Sequence, residues 1–402
     1  MFSSNYIVVI LCFVGIGFLF FYIFKLKPNK RTDIKELYSE GLDMMINGLQ
    51  RSAYNNFKKI VEIDSENIKA YLKLGQVLRE SSNPQKALKI HKGLIIRQNL
   101  TSYDLLELHK NIALDYFAIG KTNRAIEETL KILKLEKKNT WAISKLINFH
   151  IHLNEWDKAC EYLSKLQKIN KNSDSHKLGL FIIQEGRMLQ NDEKFEFARN
   201  KFEKALSINP DLSAAYYFIA ETYSKESEKY FQKTESINDK NSTIYKENIN
   251  KALDSLSKAI PMWIKYSNSK PNQSWMVIHL LKDALFALDR YDELEHVLKD
   301  IIEKDKNNSE VIATLADMYA HKGDLKNAMD IVDSGIKNDS NSLIIKLIRL
   351  KLLTLNGEQN ISKGLDDIIH FLVTDEGYHK YKNTPPDKDI VWIYENNHEL
   401  QS

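Results

Sequence analysis

Along most of the chain apolar residues recur every three or four positions, the period of helices that bury one face. A longer period of 34 residues lies over the short one and is most legible at 177–210, KLGLFIIQEGRMLQNDEKFEFARNKFEKALSINP. In that stretch Gly186, Phe195, Ala198, Phe202, Ala205 and Pro210 fall where two antiparallel helices need a small crossing residue, packing anchors and a stop. Glycine and alanine let helix backbones approach closely, and proline ends a helix because it has no N–H to donate. A single hairpin of this kind cannot bury its own apolar face, so stacked copies are expected.

The copies are present in phase. Ala53 and Ala87 are 34 apart, as are Ala125 and Ala159, and Leu294 and Ala328. Gly41, Gly75 and Gly186 each precede the index alanine by 12 residues. This spacing resembles the tetratricopeptide repeat, with Tyr71, Leu74, Gly75, Ala87 and Leu94 in one unit and Ile312, Leu315, Ala316, Tyr319, Gly323, Ala328 and Ile336 in another. The resemblance implies an all-α superhelical solenoid over residues 34–373, with eight units and a weak ninth at 342–373. The step lengthens to 38 between Ala87 and Ala125 and to 39 between Ala159 and Ala198, which predicts loop insertions at 99–103 and 171–175. A polar insertion at 224–249 predicts a solvated extension or long loop. Pro261 and Pro271 punctuate the entry to the seventh unit, whose index residue is the bulky Leu294, so looser packing is expected there.

Ahead of the array, residues 7–24 form an uncharged run, IVVILCFVGIGFLFFYIF. At 1.5 Å per residue, 18 residues make a helix of about 27 Å, enough to cross a bilayer. Lys25, Lys27, Lys30 and Arg31 follow it and no charge precedes it, which places the rest of the chain on the cytoplasmic side. A cleaved signal peptide is the rival reading, but it would carry positive charge before the run and a small-residue cleavage site after it. Residues 1–31 are therefore read as an N-terminal transmembrane anchor with a basic stop.

Charge and chemistry narrow the function. The 57 basic and 54 acidic side chains are interleaved and leave a net charge of +3, which gives no nucleic-acid footprint. Cys12 lies in the apolar run and Cys160 beside a packing alanine, so a disulfide between them is not expected. The sequence has no HExxH, phosphate loop, GxSxG or CxxC, so an enzyme is not indicated and no cofactor is implied. His150 and His152 are two apart on a helix and face different sides, which suits a structural role better than a metal site. Surface is what remains. In a solenoid the first helix of each unit lines the concave face, so Leu72, Gln76, Arg79, Lys110, Phe117, Trp141, Asn148, Ile183 and Arg187 are the candidate partner-binding positions. Phe117 and Trp141 would serve as anchors or as filling between units. Arg79, Lys110 and Arg187 would suit an acidic peptide.

The last segment, 374–402, has clustered aromatics, two prolines and no helical period. Together with the anchor and array it resembles the lipopolysaccharide assembly protein B family of the Gram-negative inner membrane. The likeness rests on AYLKLGQVLRESSNPQKALKIHKGLI, LDYFAIGKTNRAIE and NEWDKACEYLSKL. That family ends in a rubredoxin-like knuckle of two cysteine pairs. Here Tyr378 and Trp392 stand at a comparable separation, but the ligand positions read Lys380, Asn383, Tyr394 and Asn397. Without thiolates the tail is expected to hold no metal, and to be either a degenerate relic held by aromatic packing or unfolded. The resemblance implies an adaptor that brings the LpxC deacetylase to the FtsH protease and so regulates lipopolysaccharide synthesis. A generic scaffold for another inner-membrane assembly is the alternative, and the sequence leaves room for a homo-oligomer.

Overall fold

The structure is a computed structural model that describes residues 33–98, 100–357 and 386–396, with 16, 364 and 368 as isolated positions. Apart from Ile16, the run at 7–24 with its Cys12 lies outside the described residues, as do the tail positions Tyr378, Lys380, Asn383 and Asn397. Among the described residues no helix is long and apolar enough to cross a membrane, and no strand occurs.

The array falls into two compact units divided between Ala142 and Ile143. The first holds α1 (Ile34–Ile46), α2 (Gln50–Ile63), α3 (Ile68–Glu80), α4 (Pro84–Ile95), α5 (Ser102–Ala118) and α6 (Thr122–Leu135). The division falls inside α7 (Thr140–His152). The second holds α8 (Trp156–Asn170), α9 (Ser175–Asn191), α10 (Phe195–Ile208), α11 (Ser213–Glu235), α12 (Thr243–Ser269) and α13 (Trp275–Ala287). It continues with α14 (Tyr291–Lys304), α15 (Ser309–His321), α16 (Leu325–Asn338), α17 (Leu343–Leu355) and α18 (Lys388–Glu395). Within each unit consecutive helices pack on one another, as α1 does on α2 and α9 on α10, and first helices also touch first helices, as α3 does α5 and α15 does α17. Of the weak ninth unit, residues 358–373 lie outside the described residues apart from Gly364 and Ile368.

Hairpin register is set by a pair of residues 16 apart. A Cβ on Gly41 would lie 2.8 Å from the Phe57 ring and one on Gly186 2.5 Å from the Phe202 ring, while one on Gly75 would run into His91. Where the crossing residue has a side chain, its partner shrinks: the same spacing pairs Ala113 with Thr129 and Ala316 with Val332. Each of these partners is fully buried. Interiors pack at near-crystalline density, so glycine faces a ring and alanine a small branched side chain. In the seventh unit Lys282 takes the crossing position, above a buried Leu298.

Two expectations about irregularities, the loop insertions and the punctuating Pro261, are corrected, and the solvated extension at 224–249 is helical. The surplus residues of the third and fifth units lengthen the first helix instead of a loop: α5 and α9 have 17 residues, where α3 and α15 have 13. Four residues are about one turn, so the extension preserves the buried face. The insertion at 224–249 lengthens both α11 and α12, to 23 and 27 residues, around a turn at 236–242. Pro261 does not end a helix. It sits inside α12 on the solvent side, where burial of Trp263 and Tyr266 offsets the cost of a proline in a helix interior, about 3 kcal/mol from the lost hydrogen bond and the ring's clash with the preceding turn.

Candidate interaction grooves

Packing decides which predicted groove residues remain available. Leu72 packs with Leu94, Leu108 and Ile112 in the first unit, and Ile183 is fully buried in the second. Both are core residues, so the expectation that they face a partner is corrected. Arg79 is corrected for a different reason. Its Nη1 donates to Asp115 Oδ1 at 2.7 Å, with Asn111 at 3.4 Å beside it. Asp115 is fully buried, and its other oxygen lies 2.5 Å from His91 Nδ1. Leu72 O is 3.2 Å from His91 Nε2, so both ring nitrogens face acceptors. The arrangement ties α3, α4 and α5 together and leaves Arg79 little to offer a ligand.

The other first-unit candidates form a half-buried polar and aromatic face. Gln76 accepts from Lys73 at 2.9 Å and donates to Glu80 at 2.8 Å. Lys110 pairs with Glu107 at 2.7 Å and lies 5.6 Å above the Trp141 ring, a cation–π arrangement. Phe117 is half-buried on α5, beside the helix end at Ile119. The structure thus brings Lys110 to Trp141 and Gln76 to its own helix neighbours. Asn148 is exposed on the second-unit part of α7.

The second-unit face carries something the sequence did not disclose: α18, from the tail, lies across α9. The tail expectation of no helical period is corrected for 388–395, which the Asp387 side chain caps by accepting from Asp389 N. Ile390 and Ile393 are buried, and Ile393 O accepts from Gln184 Nε2 at 2.6 Å. Trp392 stacks on Phe181 with centroids 5.9 Å apart and meets Trp156 edge-on at 6.2 Å. Arg187 is buried between Tyr394, 4.3 Å from its ring centroid, and Phe218 at 4.7 Å. It too is unavailable at the surface. At the start of the helix His176 Nε2 lies 2.9 Å from Asp389 Oδ1.

Electrostatics fit a dry seat. Burial pushes the Tyr394 phenol up, with the Glu221 charge adding to it. Burial also raises Tyr217, seconded by Tyr394 and Glu221, and raises Tyr266, seconded by the Asp387 carboxylate. These phenols stay neutral across the working range. Arg187 Nε and Nη1 and both amide atoms of Gln190 are buried without a hydrogen-bond partner. Elsewhere burial pushes the Cys160 thiol up to about 12, which makes it a packing residue and not a nucleophile.

No protein-family model matches the chain. It is 27% identical over 203 residues to lipopolysaccharide assembly protein B of Haemophilus influenzae, covering 49% of each chain. It is 23% identical over 158 residues to the protein of the same name from Escherichia coli K12, covering 39% of this chain and 41% of that one. The chain thus spans about half the length of the curated relatives it matches. Among solved structures it is similar to the C-terminal part of a TPR repeat-containing protein from Cytophaga hutchinsonii, at TM-score 0.36 and 14% identity over 68% of this chain and 98% of that one. It is similar also to MamA, at TM-score 0.26 and 19% identity over 54% of this chain and 95% of that one. The described residues form only helices and turns with tetratricopeptide spacing, and the chain is similar to lipopolysaccharide assembly protein B over about half its length.

Proposed function

We propose that this chain is an adaptor of the lipopolysaccharide assembly protein B kind, anchored in the inner membrane by residues 7–24 and holding partner proteins on its hairpin array on the cytoplasmic side. The observation that carries the reading is the seating of α18 on α9 by two aromatic contacts and a backbone hydrogen bond. A first-helix face that binds a helix in this way has the chemistry of a helix-in-groove module. The similarity to the Haemophilus protein supports placing that module in lipopolysaccharide assembly. In mechanism the adaptor brings the LpxC deacetylase beside the FtsH protease, and tethering both at one membrane makes their encounter quasi-intramolecular. Catalysis is not part of this reading.

Depleting the protein and following LpxC by pulse-chase tests the proposal. Its half-life is expected to lengthen several-fold, and an unchanged half-life counts against the degradation role. A generic scaffold for another inner-membrane assembly is the second reading, favoured by the partial coverage of the relatives and by Tyr394 at a position where that family carries a thiolate. Mild solubilisation that recovers other partners, and neither LpxC nor FtsH, would favour it.

A further inference from the structure

We infer that the α9 face of the second unit is a helix-binding groove occupied in cis by α18, and that a partner helix carrying an acidic residue followed by an apolar, an aromatic and an aliphatic residue at +1, +3 and +4 binds there by displacing it. This deepens the adaptor reading and rests on it for the existence of a partner. The pattern is that of the resident helix: Asp389 beside His176, Ile390 buried, Trp392 on Phe181, and Ile393 buried with its carbonyl on Gln184. The groove is built from four helices, with Trp156 on α8, Phe181, Gln184 and Arg187 on α9, Phe218 on α11 and Tyr266 on α12.

Two observations mark α18 as a replaceable ligand. It has eight residues, and a helix that short is marginal alone in water, so it orders on the groove and unfolds when it leaves. Its Tyr394 also lies over Arg187, whose Nε and Nη1 are buried without a hydrogen-bond partner. A buried unpaired donor costs roughly 1–3 kcal/mol, so a ligand that offers those atoms acceptors gains over the resident helix. The tether sets the strength of competition. Because α18 belongs to the same chain as the groove, it competes intramolecularly, and an incoming ligand must exceed its effective concentration to take its place.

The test uses the full chain and a fluorescein-labelled peptide of residues 386–396 in solution. Trp392→Ala with Ile393→Asp opens the groove. The labelled peptide is expected to bind this variant at least 10-fold more tightly than the unmodified chain, and peptides with the aspartate corresponding to Asp389 changed to lysine or the tryptophan changed to alanine are expected to lose that binding. Hydrogen exchange on the unmodified chain gives a readout independent of the variant: amides of 390–396 are protected alone and lose protection when unlabelled peptide is added in excess. Equal affinity for both chains, no binding to the opened chain while its circular dichroism is unchanged, or unaltered exchange would each overturn the inference. LpxC and FtsH enter none of these measurements, so failure here is separable from failure of the adaptor reading.

Discussion

Replacing Gly186 by alanine and Phe202 by valine, singly and together, tests whether hairpin register rests on size matching 16 residues apart. The Gly186→Ala Cβ would lie 2.5 Å from Phe202 Cε1 and 2.8 Å from Cδ1, about 1 Å inside normal carbon contact. The ring has no way out, since Phe202 is fully buried with Phe218 6.0 Å away centroid to centroid. Overpacking costs roughly 1–3 kcal/mol, against which alanine regains up to about 1 kcal/mol of helix propensity over glycine. The single variant is therefore less stable by about 1–2 kcal/mol. Phe202→Val alone removes ring volume from a closed site and costs about 2–4 kcal/mol, somewhat less than truncation to alanine. The double variant recreates the Ala316 and Val332 pair that the chain already uses, so the added methyl fills part of the space the ring left. Its loss falls short of the sum by about 1–2 kcal/mol, a coupling of the size found between touching residues. Urea unfolding followed by the fluorescence of Trp156 and Trp392, both packed on α9 through Phe181, reads the second unit directly. Losses that add to within about 0.5 kcal/mol would refute the size-matching argument.

Three further outcomes follow from the same structure. Glu295 is held down at about 2 by Lys299 first, then by Tyr319 and Lys322. A depressed carboxyl contributes stability that is present above its unfolded value of 4.5 and lost as pH falls from there towards 2. Solvent screening limits this to about 1 kcal/mol, and Glu295→Gln is expected to flatten that part of a stability-against-pH curve. Arg79→Met strips one partner from the fully buried Asp115 and is expected to cost about 3–5 kcal/mol by urea unfolding, where an exposed ion pair would cost under 1. Deleting residues 1–31 is expected to leave a soluble, helical, folded array that has lost function, since repeat stability is local, and a fragment unfolded by circular dichroism would sink that expectation.

What could be read in the sequence depended on how each contact is encoded. The crossing glycines and index alanines announced themselves because the array repeats the same steric demand at a fixed step. The helical insertion did not, because the seam between α11 and α12 is built partly from Thr222, Ser227, Thr234 and Ser255, which are buried yet count as polar. Thr222 and Thr234 satisfy their hydroxyls on their own helix, through Phe218 O at 2.8 Å and Phe231 O at 2.6 Å, and so can line a dry seam. Arg79 read as a lone solvated charge because its partner, Asp115, sits 36 residues away on another first helix. Assessing each helix separately hides such pairs. The α18 contacts join residues more than 200 positions apart through a segment of eight residues, too short for a period to register.

These corrections change what each face can do. A first-helix residue in this array is rarely a loose side chain: Leu72 and Ile183 are core, Arg79 is locked to a buried carboxylate, and Arg187 is clamped between two rings. The first-unit face keeps half-buried groups, Lys110 over Trp141 and Gln76 between Lys73 and Glu80, whose exposed ion pairs and hydrogen bonds are each worth under about 1 kcal/mol and exchange readily for a ligand's. The second-unit face holds the fully buried Ile390 and Ile393, each contributing roughly 1.5–3 kcal/mol, beside the half-buried Trp392, and gives that up only to a ligand that supplies as much. The first face therefore suits weak, fast contacts and the second a gated one. The difference comes from ion pairs left near water on one unit and two buried isoleucines beside a half-covered tryptophan on the other.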